Sequence, residues 1–261
     1  MRALNIAATG MAAQNMRVEV ISHNLANMST TAYNARRAEF ADLHYQQAER
    51  PGTITSSDGT VLPAGVQLGL GVRTAAVSVQ VAEGSLTETG GSLDLAIDGK
   101  GYLEVTLPNG EAAYTRDGAL KRNGDGAVVT SDGFAVAPGI TIPEDAKTIE
   151  INPDGEVYAY FDGQPQAQLL GELALATFSN DKGLEALGSN LYKETEASGA
   201  PNVGAPGEDG RGTFRQGYLE ASSVDAVHEI TGLIEAQRGY EMNAKVITAA
   251  DQMLAATVQI R

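Results

Sequence analysis

The sequence contains neither cysteine nor tryptophan among its 261 residues. Without cysteine, the chain forms no disulfides and offers no thiolate nucleophile, iron–sulfur cluster or cysteine-ligated zinc site. It also lacks a continuous apolar run of roughly 18 to 20 residues, the length that a membrane-spanning helix requires. We therefore predict no direct membrane insertion.

Basic residues are scarce, with 18 Lys and Arg against 33 Asp and Glu and a formal net charge of −15. A chain of this charge is repelled by phosphate backbones, so we predict no nucleic-acid partner. The hydrophobic fraction of 43% and the charged fraction of 20% are typical of a folded protein with a substantial core.

Motifs of known catalytic and cofactor sites are also missing. The three histidines, His23, His44 and His228, lie far apart and show no zinc-ligand spacing. There is no phosphate-binding glycine loop and no G-x-S-x-G nucleophile motif. The stretch Asn-Gly-Asp-Gly at 123–126 lacks the alternating acidic ligands of a calcium loop and is interpreted as a hairpin turn. We predict no metal, no cofactor, no catalytic residue and no enzymatic activity.

Glycine is distributed unevenly along the chain. Of the 30 glycines, only Gly10 lies in the first 45 residues, and only Gly217, Gly232 and Gly239 follow residue 215. Glycine is costly inside helices and useful in turns, so this distribution predicts a helix at each end and turn-rich β structure between them. The middle carries Asx-Gly pairs typical of hairpins, namely Asp58-Gly59, Asn109-Gly110, Asp117-Gly118, Asp132-Gly133, Asp154-Gly155 and Asp162-Gly163.

Both chain ends show apolar residues at the seven-residue spacing of a coiled coil, sustained for about four heptads. The N-terminal seam comprises Leu4, Ala7, Met11, Val18, Ile21, Leu25 and Met28. The C-terminal seam comprises Ile230, Leu233, Tyr240, Ala244, Ile247, Leu254 and Val258. One such pattern also fits an ordinary amphipathic helix packed on a domain. Two matched patterns at opposite ends favour mutual pairing, and the small residues within and beside the seams, Gly10 included, suggest a close approach.

The predicted fold class is α+β, with paired terminal coiled-coil helices forming a discontinuous helical domain, an extended arm and a mainly β middle domain. We expect the N-terminal helical segment over residues 1–45, with the helix itself ending near Asn27–Tyr33. The predicted arm covers 46–95, the β domain 96–200, a Gly- and Pro-rich linker 201–215 and the C-terminal helix 216–261.

Several stretches resemble a known family. The start, ALNIAATGMAAQNMRVEVISHNLANMSTTAY, resembles the N-terminal signature of bacterial flagellar axial proteins of the rod and hook. The stretches LDLAIDGKGY, AYTRDGAL and QGYLEASSVDAV resemble the distal-rod family in particular, and the resemblance covers essentially the whole chain. The chain departs from the family pattern at Ala32, where Gly is usual in a turn, at His23, where Asn is usual, and at Gly239, where Ala is commoner.

The resemblance implies a structural subunit of the flagellar distal rod. This rod is a hollow helical drive shaft that crosses the periplasm and transmits torque from the motor to the hook. In such a rod the terminal helices line the inside, the β domain lies outside, and a segment corresponding to 46–95 stiffens the shaft. The seam residues are then expected to be the assembly surface.

The same resemblance implies the partners and the location. Expected partners are copies of this chain in a helical tube, proximal rod proteins, hook-side junction and hook proteins, the surrounding periplasmic and outer-membrane ring proteins, and the flagellar export apparatus. Export to the basal body is expected through the flagellar type III system without a cleaved signal peptide. The N-terminal apolar residues, interrupted by polar ones such as Asn5 and Gln14, form a poor secretory signal. Alternatives are another axial subunit, from the hook or proximal rod, and an exported enzyme acting on the cell wall.

Overall fold

A computed structural model describes residues 2–51, 64–163 and 166–259, with side chains through residue 256. The chain forms two compact units, each assembled from distant segments. The first comprises Met1–Ala26, Arg36–Val79 and Asp225–Arg261, and the second comprises Asn27–Ala35 and Gln80–Val224. An N-terminal helix, a strand-rich middle and a C-terminal helix confirm the α+β class.

The first unit contains both long helices and a long β-hairpin. Its elements are α1 (Arg2–Ala26), β1 (Arg36–Asp42), β2 (Tyr45–Glu49), β3 (Val66–Gly69), β4 (Val72–Val79) and α2 (Ala226–Gln259). Strand β1 pairs antiparallel with β4, and β2 pairs antiparallel with β3. The predicted Asp58-Gly59 turn lies outside the described residues.

The hairpin changes two of the predicted boundaries. The segment 1–45, predicted as helical, contains α1 only as far as Ala26 and then strand β1. Of the segment 46–95, the described residues up to Val79 supply most of β2 and the returning strands β3 and β4 of the hairpin, whereas the residues from Gln80 onward belong to the second unit, where β5 pairs with β20. Alternating charged and apolar residues in β1 give no helical periodicity, which is the sequence signal for this strand. The backbone N–H of Val72 donates to Thr9 Oγ1 at 3.3 Å, so α1 lies against β4.

Helix α2 begins at Ala226, ten residues after the predicted boundary at 216. Asp225 caps it, because its carboxylate accepts the backbone N–H groups of Val227 and His228 at 2.9 and 3.2 Å. The residues just before this cap form strands within the second unit, including part of the predicted linker 201–215. The linker's Gly and Pro content therefore marks turns inside a folded unit rather than a hinge.

The second unit is built from short antiparallel strands. They are β5 (Leu86–Glu88), β6 (Leu95–Asp98), β7 (Leu103–Thr106), β8 (Ala112–Thr115), β9 (Lys121–Arg122), β10 (Val128–Val129), β11 (Ala135–Val136), β12 (Ala146–Ile151), β13 (Glu156–Phe161), β14 (Gln168–Glu172), β15 (Leu175–Thr177), β16 (Glu185–Gly188), β17 (Leu191–Lys193), β18 (Asn202–Gly204), β19 (Thr213–Gln216) and β20 (Tyr218–Glu220), with a 3-10 turn at Asp181–Gly183. One sheet has the order β16-β17-β8-β7-β11-β10-β9, another β12-β13-β14, and the remaining pairs are β15-β18, β6-β19 and β5-β20.

The core of this unit is aliphatic, and glycine-containing turns connect its strands. Fully buried side chains include Leu95, Ile97, Leu103, Ile142, Leu173 and Leu175. The pairs Asn109-Gly110, Asp132-Gly133 and Asp154-Gly155 each join two adjacent strands, with glycine φ angles of 82°, 90° and 91°. Asp162-Gly163 follows β13 directly, and the next two residues lie outside the described part of the chain. Asp117-Gly118 does not join paired strands. A Cβ at Gly118 would overlap the carbonyl oxygen of Leu95, so this glycine serves a close backbone approach.

A buried ion pair connects distant parts of the second unit. Arg116 Nε lies 2.9 Å from Glu220 Oε2, and both side chains are less than one tenth exposed. Arg116 Nη1 also donates to the carbonyl oxygens of Gly99 and Gly101, each at 3.0 Å. The other carboxylate oxygen of Glu220 accepts the backbone N–H of Gly84 at 2.9 Å. Because both charges have several hydrogen-bond partners, the cost of burying them is offset.

The turn after α1 contains a residue with left-handed backbone. Ala32 has φ of 52° and is buried, and its N–H donates to the carbonyl oxygen of Glu220 at 2.8 Å. This conformation costs an L-residue about 1–2 kcal/mol and costs glycine much less. Glycine would adopt this φ angle with less strain than alanine.

We expect Glu220→Gln to destabilise the second unit strongly, because it leaves the buried Arg116 guanidinium without a counter-charge. The expected loss is about 3–5 kcal/mol, measured by tyrosine fluorescence during urea unfolding. The control is Glu111→Gln, which breaks the exposed Lys193–Glu111 pair at 2.7 Å and is expected to cost less than about 1 kcal/mol. Equal losses from the two variants would contradict the structural role of the buried pair.

We expect Ala32→Gly to stabilise the chain by about 0.5–1 kcal/mol, because relief of left-handed strain exceeds the added freedom of the unfolded chain. The melting temperature should rise by about 2 °C. Ala35→Gly is the matched control, since Ala35 is also buried and has no positive φ, and it should lower the melting temperature. A decrease for both variants would show that Ala32 is not strained.

Candidate assembly interface

Helices α1 and α2 pack against each other as an antiparallel pair, and glycines allow a close approach. The glycine contacts are Gly10 with Asn243, Gly239 with Gln14, and Gly232 with Ile21. A Cβ added at these glycines would lie 3.0, 3.1 and 3.3 Å from the facing side chains. Contacts tighter than ordinary van der Waals distance would result, so the missing side chains set the separation of the two helices.

Gly239 therefore has a packing role that the sequence did not reveal. In an exposed helix, glycine costs about 1 kcal/mol relative to alanine. Here Gly239 is half-buried beneath the Gln14 side chain. Glycine at position 239 therefore lowers the helix propensity of α2, but it also permits direct contact between α2 and the Gln14 side chain of α1.

Asn24 joins three separate parts of the first unit. Its side chain is only 1% exposed. Its Nδ2 donates to the carbonyl oxygen of Arg36 and to Glu229 Oε1, both at 2.8 Å. Its Oδ1 accepts the backbone N–H of Arg36 at 2.9 Å. One buried amide thus ties the end of α1 to the start of β1 and the first turn of α2.

The predicted seam residues divide by burial in the single chain. Ala7 and Ile21 are buried, whereas Leu4, Met11, Val18, Leu25, Leu233, Ala244, Ile247 and Leu254 are half-buried. Ile230 and Tyr240 are exposed by 47% and 44%, and Met28 is exposed and follows the end of α1. The side chain of Val258 lies outside the described residues. The structure therefore brings part of the predicted seam into the contact between the helices and leaves part on the surface.

Several contact residues were not found from the sequence because they are small or polar. On α2 the buried positions Ala236 and Ala250 each lie one residue from a seam-pattern position. On α1 the contact includes Asn24 and Arg17, whose guanidinium lies 3.0 Å from Glu235, and it also includes Gly10, which the sequence pattern had indicated. Hydrophobic periodicity gives such residues little weight. Their shared seven-residue spacing on α1, from Gly10 through Arg17 to Asn24, was the available signal.

A cavity of about 300 Å³ opens between the two helices. It is lined by Gln14, Asn15, Val18, Gln237, Tyr240 and Glu241. The Oε1 atom of Gln14 is buried and has no hydrogen-bond partner among the described residues. The cavity lining is therefore mixed, with polar side chains beside Val18 and Tyr240.

Helix α2 exposes large apolar side chains along most of its length. They are Val227, Ile230, Ile234, Tyr240, Met242, Val246 and Met253, each at least 44% exposed. Contiguous apolar surface on a helix marks an interaction site more often than isolated exposed residues do. The helical pair thus buries one stripe of α2 and leaves apolar side chains on its flanks.

Other kinds of site are not evident in the described part of the chain. No cluster of three or more His, Asp or Glu residues capable of holding a metal ion occurs among the described residues. None of the described helices has the length and apolar character needed to cross a bilayer.

The largest pKa shifts belong to core tyrosines, because burial raises the pKa of Tyr102 well above its usual range and that of Tyr114 to about 12.

We expect Asn24→Ala to destabilise the first unit by about 2–4 kcal/mol, because buried backbone groups of Arg36 lose their partner. Helical circular dichroism during urea unfolding measures the loss. Asn5→Ala is the control, since Asn5 is exposed on the same helix, and it should change stability by less than about 0.5 kcal/mol. Comparable effects of the two changes would show that Asn24 does not join the three segments.

Comparison with protein-family models assigns most of these segments. Residues 4–33 match the family described as flagella basal body rod protein, residues 96–159 match the flagellar hook protein FlgE/F/G D1 domain, and residues 215–260 match the flagellar basal body rod FlgEFG protein C-terminal family. The matches cover α1, the central strands and α2.

Relatives match over the full length. The chain is 56% identical to the flagellar basal-body rod protein FlgG of Caulobacter vibrioides, with 100% of both chains covered. It is 49% identical to the FlgG of Agrobacterium fabrum, with 97% of both covered, and 35% identical to that of Bacillus subtilis, with 100% of this chain and 99% of the relative covered. These relatives are structural rod proteins, which favours neither a hook subunit nor a cell-wall enzyme. The chain belongs to the FlgG family of flagellar basal-body rod proteins.

Proposed function

We propose that this rod protein polymerises with copies of itself into a hollow helical tube, the distal rod, which transmits motor torque to the hook. The observation that carries the proposal is the row of exposed apolar side chains along α2. A structural subunit of the flagellar basal body has neighbours on several sides. Surface left uncovered by α1 is therefore available to adjacent copies.

The energetics of burial support self-association. Burying one Val, Leu, Ile, Phe or Met side chain fully contributes about 1.5–3 kcal/mol relative to leaving it exposed. Association costs about 4–15 kcal/mol in lost freedom of motion. The α2 side chains are only partly exposed, so several must be buried together to offset this cost. A lattice, in which each copy has several neighbours, meets that requirement.

The predicted seam residues have two roles in this proposal. The buried and half-buried members, such as Ala7, Ile21 and Ile247, hold the helical pair together in one chain. The exposed members Ile230 and Tyr240 face neighbouring copies. A coiled-coil arrangement of the terminal helices and the assembly role of the whole seam are parts of the proposal, supported by the antiparallel contact of α1 with α2.

The segment 46–95 is proposed to stiffen the rod by contacting other copies. The described part of the hairpin supports this, because apolar side chains are exposed on its strands and connecting residues. Tyr45, Val66, Leu68 and Leu70 are each at least 40% exposed. Strand β2 is exposed along its whole length. A hairpin with so little covered surface is suited to bridging neighbours.

The remaining parts of the proposal concern partners and export. We infer contacts with proximal rod proteins at one end, hook-side junction and hook proteins at the other, and the periplasmic and outer-membrane ring proteins around the shaft. Passage through the flagellar type III export apparatus without a cleaved signal peptide is supported by the N-terminal sequence. Its apolar residues are interrupted by polar ones such as Asn5 and Gln14 and form part of α1.

We expect Ile230→Asp to prevent polymerisation, because it places a charge in the proposed helical contact without disturbing the fold of a single chain. Purified unaltered protein should form tubes visible by negative-stain electron microscopy, and the variant should remain monomeric in sedimentation. Leu169→Asp is the matched control, because Leu169 is 52% exposed on β14 and Ile230 is 47% exposed on α2.

The control variant should still form tubes. Tubes formed by Ile230→Asp, together with loss of assembly in Leu169→Asp, would place the assembly contact on the strand-rich unit instead of the helices. Failure of the unaltered protein to polymerise under any condition that favours apolar association would refute the proposed function itself.

A further inference from the structure

Methionines are the only sulfur-containing residues of this chain, and two of the six lie on α2. Met242 and Met253 are 62% and 64% exposed, and only Val227 is more exposed among the large apolar side chains described on this helix. Met11 and Met16 on α1 are half-buried. Peroxides oxidise an accessible thioether to a sulfoxide. Exposure therefore makes Met242 and Met253 more reactive toward a peroxide than the methionines of α1.

The two methionines lie on one side of α2. Eleven residues separate them, which corresponds to three helical turns plus about 20° of rotation and to roughly 16 Å along the axis. Val246 and Ala249 are also exposed, and they fall within about 40° of Met242 around the helix. These four side chains form a continuous apolar surface, which we call the methionine stripe, and Lys245 borders it on one side.

Helix α1 does not cover the methionine stripe. Asn243 of α2 contacts Gly10 of α1, and it projects about 100° away from Met242 around the helix. The helices are antiparallel, so α1 continues eight residues past this contact, to Arg2, whereas Met253 lies ten residues past it on α2. Met253 therefore lies beyond the start of α1, and the whole stripe is available to another copy of the chain.

We propose that Met242 and Met253 form an oxidation site that regulates self-assembly: a peroxide converts both to sulfoxides, and the oxidised chain does not polymerise. This inference rests on the proposed self-assembly. In each conversion the O–O bond of hydrogen peroxide breaks, one oxygen atom bonds to the thioether sulfur, and the other leaves as water. The sulfur loses two electrons, which reduce the peroxide. The chain has no thiol to reverse the reaction, so a methionine sulfoxide reductase supplied with a thiol reductant is the class of enzyme that restores the thioether.

Oxidation changes the methionine stripe from apolar to polar. The sulfoxide oxygen accepts hydrogen bonds from water, and its burial against an apolar neighbour without a donor is unfavourable. The fold of the single chain is retained, because both side chains already lie at its surface. Oxidation therefore acts on association between copies and leaves the folded chain intact.

Treatment of the purified full chain with hydrogen peroxide tests the site. Peptide mass spectrometry should show Met242 and Met253 oxidised before Met11 and Met16, and helical circular dichroism should remain unchanged. The critical concentration for filament formation, measured by sedimentation, should rise at least about tenfold, because each copy loses apolar burial at two side chains. Subsequent treatment with methionine sulfoxide reductases and a thiol should restore the original value.

A variant without the two sulfur atoms separates this site from the other methionines. Met242→Leu combined with Met253→Leu keeps the stripe apolar, so the double variant should polymerise equally well with and without peroxide. Met16→Leu is the control, because it changes a methionine of α1 and leaves the stripe as it is, and it should lose assembly on oxidation as the unaltered chain does. Persistent sensitivity of the double variant would overturn the proposal, since Met28 or another methionine would then be responsible.

Protection in the filament gives an independent measurement. Met242 and Met253 should be oxidised at least about fivefold more slowly in filaments than in free chains, because a neighbouring copy covers the stripe. Equal rates in the two states would overturn the proposal, and so would normal polymerisation of chains with both methionines oxidised. Either result leaves the proposed self-assembly intact, whereas absence of filaments from the untreated chain would refute the self-assembly and this inference with it.

Discussion

The first unit depends on one requirement, that the two ends of the chain meet and remain together. Asn24 satisfies this requirement with three hydrogen bonds of 2.8–2.9 Å that join α1, β1 and α2. A buried amide is a directional link, since each of its bonds is lost when the helices slide or rotate. Apolar contacts alone tolerate such shifts. A subunit that carries mechanical load is well served by a fixed register between its helices.

The second unit uses a buried ion pair for the same purpose. The stretches that resemble the distal-rod family meet around it, since LDLAIDGKGY supplies the carbonyl acceptors, AYTRDGAL supplies Arg116, and QGYLEASSVDAV supplies Glu220. The chain segment after α1 is attached there as well, through the N–H of Ala32. Residues far apart in sequence thus meet in one place, where loss of one partner would leave a buried charge unpaired.

Much of the fold followed from patterns that have a direct physical cause. Glycine avoidance located the terminal helices, and Asx-Gly pairs located three hairpin turns, because both depend on local backbone energetics. Element boundaries were less accurate, because the glycine distribution places helices only coarsely, whereas element ends are marked by local features such as the Asp225 cap and the alternating residues of β1. The candidate site was found only in part. Apolar periodicity identified Ala7 and Ile21, and the small residue Gly10 beside the seam indicated the close approach, but the pattern could not identify Asn24 or Ala236, whose contribution lies in hydrogen bonding or small size.

The packing of α1 against α2 explains why apolar side chains remain on the surface. Small residues such as Gly232, Ala236 and Gly239 occupy the line of contact on α2, which allows a close approach to α1. Larger apolar residues of α2, including Ile234 and Met242, lie away from this line and remain exposed. A helical pair closed by large residues would bury most of its own apolar surface and retain little for neighbours. The small residues in the contact line therefore account both for the close approach of α1 and α2 within one copy and for the apolar surface of α2 that remains available to other copies.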